Sequence, residues 1–293
     1  MTNNIIDKPE TTPVRAEITP GDGRNVRLPH PIFQNCLFAA TKLSSSTNGL
    51  RREQGKLIIT RTNQWGDILT IKAPRPLVCN PDMGVFLAAM ALVQENGYER
   101  LTGEYSGRFP GTLMSSFRMS DLYDLTRRTS KAKETLLYSL KSIGGVSLKI
   151  EYANSPESLR RHGNNSGVRI SNIWSFIKQR QLGRTGSTIH IFPHELIMPQ
   201  NKQYTLLASA DLCNQLESSV ARGLFWLLTC RHHISLTSQQ IRNAVGSERK
   251  LRLWEWRDRQ LLPALQELEN YKYSVREVSK DKWTIRQPDK FNH

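Results

Sequence analysis

The chain has 293 residues, with 41 Lys and Arg against 26 Asp and Glu, a formal net charge of +15 and 38% hydrophobic residues. That hydrophobic share supports a core and argues against wholesale disorder, and the length accommodates two domains or one large one. The charge balance raises affinity for polyanions without identifying one. Cys36, Cys79, Cys213 and Cys230 lie far apart with no C-x-x-C, so reduced thiols are expected and a zinc site is not.

Residues 1–28 are polar, hold Pro9, Pro13 and Pro20, and read as a flexible N-terminal arm. They lack a basic stretch followed by an apolar one, so no signal peptide is expected. No window approaches roughly 18 uninterrupted apolar residues, so no membrane span is expected, and a reducing cytoplasm fits best. GKLIITRT (Gly55 to Thr62) and GDILTIKA (Gly66 to Ala73), joined by Asn63-Gln64-Trp65, predict a hairpin.

NPDMGVFLAAMALVQENG (Asn80 to Gly97) predicts a helix with Asn80 as cap, Pro81 at its first position, Asp82 at the positive end and Gly97 closing it. It is apolar nearly all round and should be buried. MSDLYDLTRR and TSKAKETLLYSLKSIGG follow with a gap of only a residue or two, which predicts a helix-turn-helix. Leu136, Leu137, Leu140 and Ile143 share one helical stripe. Val146, Leu148, Ile150 and Tyr152 alternate with polar residues as a strand, a polar loop (NSPESLRRHGNNSG) follows, and VRISNIWSFI and STIHIF supply further strands.

After about residue 205 the order recurs: an apolar helix (ESSVARGLFWLLTCRH), a short helix (LTSQQIRNAVG), a basic helix (SERKLRLWEWRDRQLLPALQEL), then a hairpin from YKYSVREV and KWTIRQP. This is the order in which a winged helix presents a recognition helix and a wing to duplex DNA. The expected fold is α+β, two tandem winged-helix domains, each a helix-turn-helix plus a β-hairpin wing. The expected boundaries are an arm at 1–28, an N-terminal domain with extra strands at 29–204 and a C-terminal domain at 205–293.

On a helical wheel Leu251, Trp254, Leu261, Leu262, Leu265 and Leu268 share one face, with Asp258 anomalously among them. Arg249, Arg252, Trp256 and Arg259 cluster on another, flanked by Lys250 and Arg257. A basic face opposed to a leucine stripe suits a helix in the major groove, because arginine matches guanine edges and phosphates. A solvated face with Glu255 and Asp258 pairing locally is the competing account. Pro263 should kink or end this helix near Leu262. Lys280 and Lys282 at the hairpin tip would sit beside phosphates.

In the first copy, residues 120–184 hold twelve Lys or Arg against five acids. Lys131, Lys133, Tyr138 and Lys141 belong to the basic helix, with Lys131, Tyr138 and Lys141 away from its leucine stripe. Arg160 and Arg161 sit in the polar loop, within reach of a neighbouring groove or backbone. A general electrostatic contribution without base reading stands beside this account.

Catalytic signatures fail. GLRREQGKL departs from a phosphate loop in the spacing between Gly49 and Gly55 and in Leu57 where Ser or Thr belongs. The His-apolar-His metal pair of nicking enzymes is missing, since the closely spaced histidines are His190 with His194 and His232 with His233. His190 and His194 are expected at a strand end. No carboxylate cluster points to a two-metal site. A binder without catalytic activity or cofactor is expected.

ASADLCNQLESSVARGLFWLL, LLPALQELENYKYSV and KWTIRQP resemble the C-terminal part of the IncQ-type plasmid replication initiator C. The matched residues are Ala221-Arg222 in the first helix, the Leu-Pro-x-Leu-x-x-Leu formed by Leu262, Pro263, Leu265 and Leu268, and the final Trp283, Ile285 and Pro288. The resemblance covers about residues 205–288 and extends more faintly to PRPLVCNPDMGVFLAAMALVQENG. Where the family turns with a glycine after the basic helix, Glu269-Asn270 stands here, and Asn tolerates the left-handed conformation. The resemblance implies tandem winged helices that bind direct repeats (iterons) at a plasmid origin, help open an adjacent A/T-rich segment and recruit helicase and primase. It also implies a homodimer off DNA and no required nucleotide or metal. A transcriptional repressor of the same fold on a palindrome is the alternative.

Overall fold

The computed structural model describes residues 24–29, 37–40, 50–53, 56–62, 66–100, 113–156, 159–160, 167–180, 186–198, 205–247 and 251–288. In chain order, β1 (Asn25–Pro29), β2 (Leu50–Glu53), β3 (Lys56–Thr62) and β4 (Ile68–Ala73) precede α1 (Gly84–Asn96). Then come β5 (Glu99–Arg100), β6 (Leu113–Arg118), α2 (Met119–Thr126), α3 (Lys133–Gly144) and β7 (Ser147–Glu151). β8 (Gly167–Ile170), β9 (Trp174–Arg180), β10 (Ser187–Pro193), β11 (Thr205–Ser209), α4 (Ala210–Gln215) and α5 (Ser219–Arg231) follow. β12 (His233–Thr237), α6 (Ser238–Ala244), α7 (253–270), β13 (Ser274–Ser279) and β14 (Lys282–Arg286) complete the mixed α and β architecture.

α1 is buried on every side from Gly84 to Gln94, as its unbroken apolar character requires. Gly97 closes it at φ 73, a conformation that suits glycine. Asn80 does not cap it. Its backbone is non-helical, and its side-chain oxygen accepts a hydrogen bond from Arg128 Nη2 at 3.0 Å. Asp82, fully buried, does more than face a helix dipole. It accepts from both terminal nitrogens of Arg75 (2.7 and 2.6 Å), from Ser139 Oγ (2.7 Å) and from the Val78 N–H (2.8 Å). A buried carboxylate is tolerated only when paired and hydrogen-bonded in this way.

The described strands form four open sheets, and α1 packs against β1 and β6. The predicted hairpin forms as β3–β4, with Ile59 opposite Ile71, and extends to β2-β3-β4-β7-β8. A second sheet runs β5-β6-β10-β9 and a third β12-β14-β13. The fourth is β1 with β11, antiparallel, pairing Val26 with Ala208. Residues 25–28 were expected in the flexible arm. Instead Val26 and Leu28 are fully buried, and the Gln94 side chain bonds both the N–H and the carbonyl of Arg27 (3.0 and 2.7 Å). Two buried apolar side chains and a satisfied backbone outweigh the arm's polar composition.

The two halves pack into one core. Phe86 of α1 stacks on Trp174 (centroids 5.7 Å apart, planes at 13°) and meets Trp226 of α5 edge-on at 6.4 Å, while Phe38 touches both Phe86 and Trp226. Such pairs contribute about 0.5–1.5 kcal/mol each beyond area burial. Buried Arg222 reinforces the junction, donating to Leu216 O (2.8 Å) and Cys79 O (3.4 Å). Asn214 Nδ2 donates to Gly84 O at 3.2 Å, and a Cβ on Gly84 would lie 2.2 Å from the Asn214 Oδ1. The matched Ala221-Arg222 pair therefore builds the joint between halves, both residues lying in the core.

Candidate nucleic-acid interface

In the first half, α2 starts with the Arg118 N–H on Asp121 Oδ2 (3.1 Å) and stops at Arg127, left-handed at φ 53. A 3-10 turn, Ser130–Ala132, leads into α3. Leu136, Leu140 and Ile143 are fully buried and Leu137 partly so, which is the predicted stripe. The opposite face carries exposed Lys131, Glu134, Thr135, Tyr138 and Lys141, with Lys133 half-buried at the helix start. Tyr138 is 58% exposed, and its ring lies 4.7 Å from the Arg75 guanidinium.

The hairpin after α3 is β7–β8, with exposed Lys149 opposite exposed Arg169. β8, from the VRISNIWSFI segment, is the strand that returns after the polar loop, while β10 pairs with β6 and β9. β7 has β4 on one side and β8 on the other. His190 stands within β10, its Nδ1 2.8 Å from Ser116 Oγ and its Nε2 2.9 Å from Gln179 Oε1. His194 accepts from the Leu196 N–H at the start of a 3-10 turn, and burial lowers its pKa. Arg160 is exposed, and Arg161 lies outside the described residues.

In the second half, a capping box opens α6: Thr237 Oγ1 accepts from the Gln240 N–H (3.3 Å) and Gln240 Oε1 accepts from the Thr237 N–H (2.9 Å). α7 is one helix of three pieces, α-helical at Leu253–Trp256, π-helical at Arg257–Leu261 and α-helical at Leu262–Asn270. The π turn inserts a residue just before Pro263, whose missing N–H and ring would otherwise clash with the preceding turn. The proline therefore neither ends the helix nor stands at a break.

That turn changes the phase of the helix. The buried residues are Trp256, Leu261, Ala264, Leu265 and Leu268, five positions apart across the π turn and three or four thereafter. Trp256, expected on the DNA-facing side, is 0% exposed; its Nε1 donates to Ser247 Oγ at 2.8 Å and Arg242 lies over its ring at 5.7 Å. Trp254, expected in the apolar stripe, is 58% exposed. Asp258 leaves the stripe for solvent, which removes the anomaly of a carboxylate there.

Arg252 and Arg259 remain on the open face, Arg259 making only a 4.0 Å contact with Glu255 that is worth little at the surface. Arg257 turns toward the hairpin, 3.7 Å from Glu277 and over the Trp283 ring at 5.9 Å, and braces helix against wing. Arg249 and Lys250 lie outside the described residues.

The hairpin tip is clamped. Asp281, left-handed at φ 65, accepts from Ser238 Oγ, and its carbonyl accepts from the Ser238 N–H at 3.1 Å. Trp283 Nε1 donates to the same Ser238 Oγ at 3.1 Å. Lys280 and Lys282 are thereby held exposed beside the start of α6. After α7 the left-handed residue is Lys272 (φ 68); Asn270, offered for that role, stays helical.

Each half thus offers a buried helix, a short helix, a basic helix displaying one 58%-exposed aromatic, and a hairpin beside it. The chain shares its fold with domains 2 and 3 of RctB. Two crystal structures of those domains match at TM-scores of 0.52 and 0.50 with 11% and 10% identity. The matches cover 87% and 85% of this chain and 96% of each RctB chain. A crystal structure of Pi initiator protein in complex with iteron DNA matches at a TM-score of 0.47 and 12% identity, over 92% of this chain and 100% of that one. No family model and no curated protein matches the sequence.

The likeness to RctB is one of fold, and it spans both halves of this chain. Among the described residues no helix is long and apolar enough to cross a membrane, and no cluster of three His, Cys, Asp or Glu residues is placed to hold a metal ion. Two residues of the interface carry no local signal. Arg75 reaches Tyr138 across more than sixty positions of sequence, and Trp254 becomes visible only through the π turn. The one usable hint was Asp258, a charge sitting where an unbroken α-helix would bury it.

Proposed function

We propose that the chain is a plasmid-type replication initiator that binds direct repeats in duplex DNA through two tandem winged-helix domains, 29–204 and 205–293. The duplicated module carries this reading: α3 and α7 each set a basic, aromatic-bearing face opposite a buried stripe, with a hairpin at its flank. α3 and α7 are the recognition helices, and β7–β8 and β13–β14 are the wings. The one-core junction through Phe86, Trp226 and Arg222 supports two heads set at a fixed spacing, which suits successive major grooves on one face of the duplex. The resemblance of residues 205–288 to the IncQ-type initiator C supports origin repeats as the target.

In this role Trp254 and Arg259 meet base edges from α7 with Arg252 at its N-cap, and Tyr138 and Lys141 do so from α3 with Lys131 in the 3-10 turn before it. Lys280, Lys282 and Arg160 contact phosphates, and Arg249, Lys250 and Arg161, outside the described residues, are further candidate DNA contacts. Lys133 and Arg257 act beside them, Arg257 by fixing the wing. Opening of an adjacent A/T-rich segment, recruitment of helicase and primase, and a homodimer off DNA complete the proposal. The protein acts in the cytoplasm as a binder without catalysis or cofactor. Footprinting on DNA flanking the encoding gene tests it: protection of directly repeated sites is expected, and equal affinity for random duplex overturns it. Protection of an inverted repeat alone favours a repressor.

A further inference from the structure

We propose that Arg75 is a positioning residue that holds Tyr138 as a fixed aromatic contact for a base in the major groove. This rests on the DNA-reading role of α3 proposed above.

A tyrosine more than half exposed in the middle of a helix face is ordinarily free to change rotamer, and each freezing on binding costs affinity. Here its ring lies beside a guanidinium held by four hydrogen bonds. Arg75 Nη1 and Nη2 fork onto Asp82 at 2.7 and 2.6 Å, and Nη1 also donates to Pro76 O at 2.9 Å. Arg75 Nε donates to Ser142 Oγ at 2.9 Å, and Ser142 is itself bonded to the carbonyl of Tyr138 at 2.7 Å. The carboxylate that anchors the fork is fully buried and bonded to Ser139 on the same helix.

Four hydrogen bonds, to Asp82, Pro76 and Ser142, therefore hold the guanidinium plane, which lies 4.7 Å from the ring centroid. With Nε and both terminal nitrogens bonded in this way, the planar cation lies beside the Tyr138 ring. Tyr138 shares its exposed face with Glu134 and Lys141. An apolar ring held in that place suits contact with a thymine methyl or a base edge, whereas the lysines around it suit phosphates.

The experiment uses the full chain and a randomised duplex library. The wild type selects a sequence, and affinity is then measured for that duplex and for a scrambled duplex of equal composition at one salt concentration. Tyr138→Phe keeps the ring and is expected within about twofold of wild type, while Tyr138→Leu loses about tenfold on the selected duplex and little on the scrambled one. Arg75→Lys retains charge beside Asp82 but not the plane, and is expected to lose about fivefold on the selected duplex only. In the Tyr138→Leu background it should lose nothing further. An equal loss from Arg75→Lys in both backgrounds, or on both duplexes, overturns the proposal. If Arg75→Lys does not fold, the comparison of Tyr138→Leu with Tyr138→Phe still decides, since equal affinities overturn it. If the wild type selects no sequence, the DNA-reading role falls and this proposal with it; if it selects one that Tyr138→Leu binds equally well, only this proposal falls.

Discussion

Trp254 and Trp256 stand two residues apart on one helix, and the structure assigns them opposite fates. Trp256→Ala removes a fully buried indole together with its hydrogen bond to Ser247 Oγ. Burial loss and the resulting cavity cost about 3–5 kcal/mol, and the lost hydrogen bond to Ser247 adds about 1 kcal/mol. At roughly 2–4 °C per kcal/mol for a chain of this size, Tm should fall by about 8–24 °C. Trp254→Ala removes an indole that is 58% exposed and should change stability by no more than about 0.5 kcal/mol. Its effect belongs to binding: about 1–2 kcal/mol, or roughly five- to thirtyfold in affinity for the selected duplex. Differential scanning calorimetry and fluorescence anisotropy on the two variants separate these outcomes. A Trp256→Ala protein with native Tm and weakened DNA binding would refute the π-shifted phase of α7 and restore the uninterrupted helical wheel.

Other expectations follow from the same surfaces. About eight phosphate contacts give a slope of log affinity against log salt near −7, measurable by anisotropy titrations at several salt concentrations. Arg252→Ala and Arg259→Ala should each cost about 1–3 kcal/mol on the selected duplex and broaden its consensus, whereas Lys280→Ala should weaken all duplexes alike and reduce the slope by about 1. Ser238→Ala removes the hydroxyl shared by Asp281 and Trp283; a loss of about 1–2 kcal/mol in urea unfolding is expected, with faster hydrogen exchange at the wing tip. Asp82→Ala leaves the Arg75 guanidinium without its buried partner and should cost about 3–5 kcal/mol by chemical denaturation.

Much of the architecture was legible in the chain itself. The burial of α1 follows from an apolar segment with no polar side, the β3–β4 hairpin from alternation around a turn, and the recurring order of helices and hairpin from periodicity alone. Those signals are local: a period of 3.6 or 2 persists whatever the rest of the chain does. The basic face of α3 was legible for the same reason, because nothing interrupts that helix between Lys133 and Gly144.

Tertiary structure decided what depended on distant partners or on a change of period. The pairing of β1 with β11 withdrew residues 25–28 from the arm, and the pairing of β7 with β4 joined the first wing to the β3–β4 sheet. Arg222 and Asn214 turned two modules into one core by reaching the turn before α1. At the interface, Arg75 came to Tyr138 through Asp82, and one extra residue in the turn before Pro263 exchanged Trp256 for Trp254. Sequence determined that α7 would have a buried side and a basic side. Which tryptophan lies on which side rests on a single π turn, because one inserted residue rotates everything before it by about 100° relative to everything after.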